Sequence, residues 1–407
     1  MTITVRLGTA MLIAAVSALA ITVGGPGAAA TPTAAPGPAS VPTPATDRTG
    51  SYIAVFHNGR VPRDQVDAVV QDLDDSHPIT VHRVFYDVLR GFQFTGTRRA
   101  AAGVARDHRV AYVERDIPDV GFAQPQGGMQ YNPPWGLDRV DQRRLPLDRR
   151  FSYPTTASNV TVYVLDSGVR VTHREFGGRA TAGGDFTPER DNVDCTGHGT
   201  HVAGTIGGSS VGVAKRVRIV SLKVLDCHNT GLTSGIIRAL DTVVRTGRIP
   251  GVVNMSLGHE GSDPAFSTAI ANVVAKGFVV VAAAGNNRAN ACRFSPAQAP
   301  QAITVGATNA SDQRAPFSNL GRCVDMFAPG AGISSTAISS NSALSPMSGT
   351  SMAAPHVAGA AALILGRHPR FSPAQVRRCL QAAATASTLT NLGSGSPNRM
   401  LFVGGAC

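Results

Sequence analysis

Ser348-Gly349-Thr350-Ser351-Met352-Ala353-Ala354-Pro355-His356 is the stretch on which the reading of this chain turns. Small residues surround Ser351, and a helical run follows over residues 352–365. A serine at such a turn presents its hydroxyl beside helix-terminal backbone N–H groups, which favour negative charge. Nucleophilic catalysis asks for that combination of exposure and oxyanion donors. Two upstream segments supply the partners. Val164-Leu165-Asp166-Ser167-Gly168 ends an apolar run on an acid. Gly197-His198-Gly199-Thr200-His201-Val202-Ala203-Gly204 puts a histidine at a glycine-rich helix start.

Outward from these segments the chain alternates strands and helices. Residues 160–165, 219–225, 252–257, 278–284 and 302–307 are β-branched or apolar runs. Residues 200–206, 233–245, 264–276 and 352–365 read as helices between or after them. Near-continuous apolar strands alternating with helices predict an α/β fold, a doubly wound, mostly parallel sheet with helices on both faces. Ligands of such sheets sit at the carboxyl ends of strands. Asp166, residues 256–258 and Gly285-Asn286 all fall at such ends. No internal repeat is present.

The 407 residues suffice for more than one domain, and 43% hydrophobic with 15% charged content is globular composition. The net charge is +11, but Lys and Arg are scattered, with no long basic block or aromatic-interleaved patch. A soluble basic surface is expected, with no nucleic-acid partner. Residues 1–30 read as a secretory signal: Arg6 in the n-region, a short apolar core over 11–23, and Ala28-Ala29-Ala30 as cleavage site. The apolar core is too short to span a bilayer, so a secreted, extracellular protein with no membrane partner is expected. Residues 31–50 form a Pro/Ala/Thr-rich linker. Residues 51–122 follow a β-α-β-β-α-β pattern, a small ferredoxin-like α+β unit. The polar, Gly- and Pro-rich segment 123–134 reads as exposed, and 135–407 as the main domain. All six cysteines (Cys195, Cys227, Cys292, Cys323, Cys379, Cys407) lie in that domain. An even number in an oxidising compartment predicts three bridges of open connectivity.

A serine hydroxyl needs a base within hydrogen-bond reach, and the base needs an acid to fix its tautomer. Ser351 is assigned as nucleophile, His198 as general base and acid, and Asp166 as orienting carboxylate. Singly, each has a plainer reading as a turn or cap residue. Together, in order and with glycine-rich flanks, they form a unit. His201 offers a rival His-x-x-His metal pair, but no third ligand or catalytic Glu lies nearby. His356 reads as structural. The context Gly349-Thr350-Ser351-Met352-Ala353 is not the G-x-S-x-G elbow of α/β-hydrolases, whose triad also runs Ser, acid, His. A secreted esterase is therefore disfavoured. A catalytically silent binding or adhesion protein is the other alternative, and it would be expected to have lost a triad member.

The order Asp, His, Ser and the three flanking segments resemble the subtilisin-like serine peptidases. Trp135-Gly136-Leu137-Asp138-Arg139-Val140-Asp141-Gln142, His173-Arg174-Glu175-Phe176-Gly177-Gly178-Arg179 and Gly395-Ser396-Pro397-Asn398-Arg399 resemble the proteinase K branch, especially aqualysin-type enzymes. The resemblance covers essentially all of 135–403. It implies a serine endopeptidase working on proteins and peptides through an acyl-enzyme, and a monomer. It implies that residues 51–122 are an inhibitor-type propeptide and folding aid, processed within 123–134, with its end near residues 120–124 in the substrate cleft. It implies Asn286 as side-chain oxyanion donor beside the Ser351 N–H. Substrate would lie as an added strand between Ser256-Leu257-Gly258 and Thr230-Gly231-Leu232. Its P1 side chain would enter a pocket framed by residues 256–258 and by Ala283-Ala284-Gly285. His259 departs from the glycine usual there.

The same resemblance pairs Cys195 with Cys227 and Cys292 with Cys323, leaving Cys379 and Cys407 for each other. It also implies structural Ca²⁺ and no organic cofactor. One site would use Asp138, Asp141, Gln142 and Asp148, although Arg150 departs from the polar residue of relatives. A second would use the carbonyls of Pro300 and Ala302 with the carboxylate of Asp325. The alternative for Asp138 and Asp141 is capping of a helix start.

Overall fold

The computed structural model describes residues 49–57, 59–87, 89–116 and 127–405. The expected signal, most of the linker, residues 117–126 and Cys407 lie outside these. The chain divides into two compact units, with the boundary between Val120 and Gly121.

The first unit contains β1 (Gly50–Phe56), α1 (Val66–Ser76), β2 (Ile79–Phe85), β3 (Gly91–Gly96), α2 (Arg98–Val104) and β4 (Val110–Arg115). The strands form one sheet in the order β2-β3-β1-β4, the predicted ferredoxin-like arrangement. Strand alternation builds its core. Tyr52, Ala54, Phe56, Phe92 and Phe94 cluster with Val66, Val70 and Leu73 of α1 and with Ala101 and Val104 of α2. The Phe92 and Phe94 rings lie 5.4 Å apart. Thr97 caps α2 by accepting from the Ala100 N–H at 3.1 Å.

The second unit opens with β5 (Gly128–Tyr131), α3 (Trp135–Val140) and β6 (Arg150–Tyr153). Residues 128–131, within the expected processing segment, pair antiparallel with β6. The gain of those ladder bonds makes them part of this unit. There follow β7 (Thr161–Asp166), β8 (Ala180–Asp185), α4 (His198–Gly207), β9 (Arg218–Lys223), α5 (Thr233–Thr246), β10 (Gly251–Met255), β11 (His259–Glu260) and α6 (Pro264–Ala275). After them come β12 (Val279–Ala283), β13 (Phe294–Ser295), β14 (Ile303–Thr308), β15 (Met326–Pro329), β16 (Ile333–Thr336), β17 (Leu344–Met347), α7 (Thr350–Arg367), α8 (Pro373–Ala383), β18 (Thr385–Ala386) and β19 (Arg399–Met400).

Nine strands make one sheet in the order β18-β19-β15-β14-β12-β10-β7-β9-β8. All its pairings are parallel except β18 with β19. The runs are continuous in sequence because both faces are covered. Val162, Val164, Val252, Val279 and Val281 share a core with Val202, Ile206, Val357 and Ala361 of α4 and α7. Tyr163, Leu165, Val253, Met255, Val280 and Ala282 share the other with Ile236, Leu240, Phe266 and Ile270 of α5 and α6. Each such aliphatic side chain contributes about 1.5–3 kcal/mol by leaving water.

Disulfides join Cys195 to Cys227 and Cys292 to Cys323, with Cα–Cα distances of 5.3 and 5.2 Å. Both pairs are those the resemblance implied. Cys379 is also disulfide-bonded. Among the described residues, no helix is long and apolar enough to cross a membrane.

Candidate active site

Three neighbouring strands of the sheet, β7, β10 and β12, end at one edge: Asp166 is the last residue of β7, and the loops after β10 and β12 carry Ser256 and Asn286. Asp166 is fully buried at the end of β7. A carboxylate there must be paired. His198 Nδ1–H donates to Asp166 Oδ1 at 2.6 Å, and the Ser167 N–H donates to the same oxygen at 2.8 Å. A carboxylate only accepts, so Nδ1 carries the proton and Nε2 is left as the acceptor. Asp166 Oδ2 is buried with no partner among the described residues.

His198 is the first residue of α4, and Asp194 holds that helix end. Its Oδ1 accepts from Gly197 N at 2.8 Å, and its Oδ2 from Thr200 N at 2.8 Å and Thr200 Oγ1 at 2.5 Å. Gly197 has φ +82°, which suits glycine. A Cβ on Gly199 would lie 2.1 Å from the Gly168 carbonyl oxygen and 3.0 Å from Asp166 Cβ. Only a glycine lets α4 come this close to the acid. Burial works against charge on His198, but the charge and hydrogen bond of Asp166, with Asp194 behind, outweigh it and raise the pKa above 6.5.

Ser351 is the second residue of α7, where helix geometry leaves N–H groups unspent. Pro355, four residues on, has no N–H to give the Ser351 carbonyl. The Ser256 hydroxyl donates to that carbonyl instead, at 2.9 Å, and itself accepts from Asn254 Nδ2 at 3.0 Å. Ser351 Oγ–H donates to the Ser256 carbonyl at 3.1 Å rather than to His198. Asn286 Oδ1 accepts from Thr350 N and Thr350 Oγ1 at 2.8 and 2.9 Å. With its oxygen committed, the amide has only Nδ2 to offer the cleft.

His198, Asn286 and Ser351 line one cleft of about 770 Å³ with Gly231, Ser256, Leu257, Gly258, Ala283 and Gly285. The expected binding residues are thus brought together. Gly231 and Gly258 permit close backbone approach: a Cβ would lie 2.2 Å from the Val224 carbonyl in one case and 2.8 Å from the Ser295 carbonyl in the other. His259 and Glu260 stand exposed on the cleft lining, with His259 Nε2 4.0 Å from Asp263 and Glu260 paired to Arg293. His201 is buried and donates from Nε2 to the carbonyls of Ile333 and Ser345 at 2.8 and 3.1 Å. Burial pushes its pKa down to about 4, as it does for His356, whose Nδ1–H donates to the Met352 carbonyl.

Several supports carried no sequence signal. Asn319 donates to the Ala284 carbonyl and accepts from Asn287 N and Ala289 N, which fixes the turn bearing Asn286. Asn254 and Asp194 act likewise around Ser256 and His198. Asn319 finds its partners far away in sequence, whereas Asn254 and Asp194 hold residues of their own segments.

The two expected cation sites differ. Around α3, Asp138 Oδ2 accepts from Arg149 N, Asp141 Oδ2 from Ser152 N, and Asp148 Oδ1 from Arg150 N. Gln142 Oε1 accepts from Asp148 N. Asp138 Oδ1 and Asp141 Oδ1 are buried with no partner among the described residues. Burial first, then the charges of Asp148 and Asp138, push Asp141 up to about 6 despite the Ser152 N–H. Two orphaned buried carboxylate oxygens among three acids fit a hard cation. The three acids do not bring their oxygens within 4.8 Å of one another; among the described residues only Glu189 with Cys195 and Cys227 does so. The sulfurs of that trio are a disulfide and offer no thiolate. The second expected site does not fit a metal. The guanidinium of Arg377 donates to both the Pro300 and Ala302 carbonyls and lies 3.8 Å from Asp325 Oδ2. A side-chain cation stands where an ion was expected.

Residues 157–404 match the peptidase S8, or subtilase, family. The chain is 47% identical over 323 residues to an extracellular serine proteinase of Thermus sp. (strain Rt41A), covering 79% of this chain and 77% of that one. It is 43% identical over 335 residues to alkaline serine exoprotease A of Vibrio alginolyticus, covering 82% of this chain and 62% of that one. A crystal structure of a cold-adapted subtilisin-like serine proteinase aligns with TM-score 0.64 at 47% identity, covering 67% of this chain and 98% of that one. With a buried acid, a histidine and a helix-start serine gathered at one sheet edge in a chain so matched, this protein belongs to the subtilase family of serine endopeptidases.

Proposed function

We propose that Ser351 is the nucleophile, His198 the general base and acid, and Asp166 the carboxylate that orients the imidazole and stabilises its charged form. The observation that carries this is the 2.6 Å His198–Asp166 hydrogen bond, with a buried acid, in the cleft that Ser351 and Asn286 also line. A substrate strand along Ser256-Leu257-Gly258 needs the Ser256 carbonyl for its own N–H. It takes that carbonyl from Ser351, whose hydroxyl turns to His198 Nε2. The alkoxide attacks the peptide carbonyl as the proton passes to Nε2. The oxyanion accepts from Asn286 Nδ2 and Ser351 N, and His198 then protonates the leaving amine. Water repeats the cycle on the acyl-enzyme.

We further infer that the chain is secreted through its leader and that the β-α-β-β-α-β unit is an inhibitory propeptide removed by the enzyme itself. Ser351→Ala should lower peptide turnover by on the order of 10³–10⁶. Intact mass and N-terminal sequencing of secreted material should show that variant uncut and the wild type cleaved ahead of β5. Near-normal turnover by a folded Ser351→Ala protein would falsify the assignment.

The base works only when neutral, so kcat/KM should fall as pH drops through the His198 pKa. Because that pKa is raised, the acid limb should lie above 6.5. Asp166→Asn removes the charge and hydrogen bond that raise it. The limb should move to lower pH, and turnover should fall by about 10⁴. An unmoved limb in pH–rate profiles of both proteins would contradict the role of Asp166.

Asp138, Asp141, Gln142 and Asp148 would hold a calcium ion, which supplies charge neutralisation rather than chemistry. Binding to the folded state alone adds stability that grows with free ligand. Chelator should speed thermal inactivation of wild type, and Asp138→Ala with Asp141→Ala should abolish the difference. Equal survival of wild type in calcium and in chelator would leave these acids only as acceptors for the backbone N–H groups of Arg149 and Ser152.

A further inference from the structure

The corner where Pro300 and Ala302 lead into β14 and Asp325 leads into β15 is held by one face of α8. That helix is fixed at its start by a capping box. Ser372 Oγ accepts from Gln375 N at 3.3 Å, and Gln375 Oε1 accepts from Ser372 N at 2.8 Å. Arg377 and Gln381, four residues apart, therefore share a face. Gln381 Nε2 donates to Asp325 Oδ1 at 3.3 Å. The Thr304 N–H donates to Asp325 Oδ2 at 2.9 Å, and Asp325 N donates back to the Thr304 carbonyl at 2.8 Å. Arg377 Nη1 donates to the Pro300 carbonyl at 2.8 Å, while Nη2 donates to the Ala302 carbonyl and lies 3.8 Å from Asp325 Oδ2.

Two carbonyl oxygens and one carboxylate oxygen thus converge on a single positive group. That is the donor set of a hard cation, and the guanidinium's fork reaches both carbonyls at once. Burial pushes the Asp325 pKa up, and Arg377 leads the influences that pull it back, ahead of Thr304 N–H, Arg399 and Gln381. We propose that Arg377 is a built-in cation at this corner, so that the locus needs no metal ion, and that removing the guanidinium uncovers a latent calcium site. An ion and Arg377 cannot share the place: the carbonyls are spent on the guanidinium, and the two charges would repel. Calcium dependence is then confined to the aspartates around α3. None of Pro300, Ala302, Asp325 and Arg377 lines the cleft.

The test uses the full chain carrying Ser351→Ala, which removes autolysis, with Asp325→Asn, Arg377→Ala and the double variant. Calcium binding is read by titration calorimetry and Tm in calcium and in chelator. Asp325→Asn alone should leave the calcium stoichiometry and Tm response of the parent unchanged. Arg377→Ala should gain one class of calcium site. Its Tm should rise in calcium by on the order of 5 °C more than the parent's. The double variant should lose that gain. Loss of a calcium ion in Asp325→Asn would overturn the proposal, as would a folded Arg377→Ala protein with no gained site. If Arg377→Ala does not fold in chelator, its recovery by calcium, and not by magnesium, supports the proposal; failure in both ions, with recovery by Arg377→Lys, overturns the latent site.

Discussion

One buried negative charge organises this active site. Asp166 is shut into the end of a strand whose other residues, Thr161 to Leu165, are all buried. Water cannot solvate it, so its environment must. His198 supplies the principal partner, and every nearby constraint serves that contact. Gly199 has no side chain because Gly168 and Asp166 occupy the space. Asp194 pins the start of α4 and so fixes the histidine backbone. Lys223, itself buried on the neighbouring strand, donates to the Ser167 carbonyl at 3.2 Å and pairs with Glu189. The acid is thereby held in place, and its contact gives the imidazole its direction and its raised pKa.

Ser351, the proposed nucleophile, is positioned by a different device. Pro355 removes one helical hydrogen bond and leaves the Ser351 carbonyl for the Ser256 hydroxyl. The helix bearing Ser351 is thus tied to the loop that, in the proposed mechanism, would hold substrate. The Ser351 hydroxyl rests on that same loop. In the proposed mechanism, resting and engaged enzyme differ by one hydroxyl rotation, driven by the substrate's own N–H.

Much of this was legible in the sequence. The five central strands announce themselves as Val- and Ile-rich runs because both faces are buried. Asp166, His198, Asn286 and Ser351 stand in segments whose glycine and alanine flanks reflect close backbone approach. Other elements gave no such signal. β8 is small and largely exposed, Ala180–Asp185, and lacks an apolar run. β15 is four residues long. Arg377 reads as one more basic residue on an amphipathic helix; its partner at Asp325 depends on which face α8 turns inward, and no local pattern states that. The metal expectation at Pro300, Ala302 and Asp325 named three groups that do converge, but on the Arg377 guanidinium.

The central claim is that Asp166 and His198 make Ser351, alone among the chain's serines, a nucleophile. It is tested most directly by covalent labelling with a fluorophosphonate, followed by peptide mapping. The account predicts one phosphonyl group per chain, on Ser351, with the labelling rate collapsing in His198→Ala. Label on another residue, or an unchanged rate without His198, would contradict it.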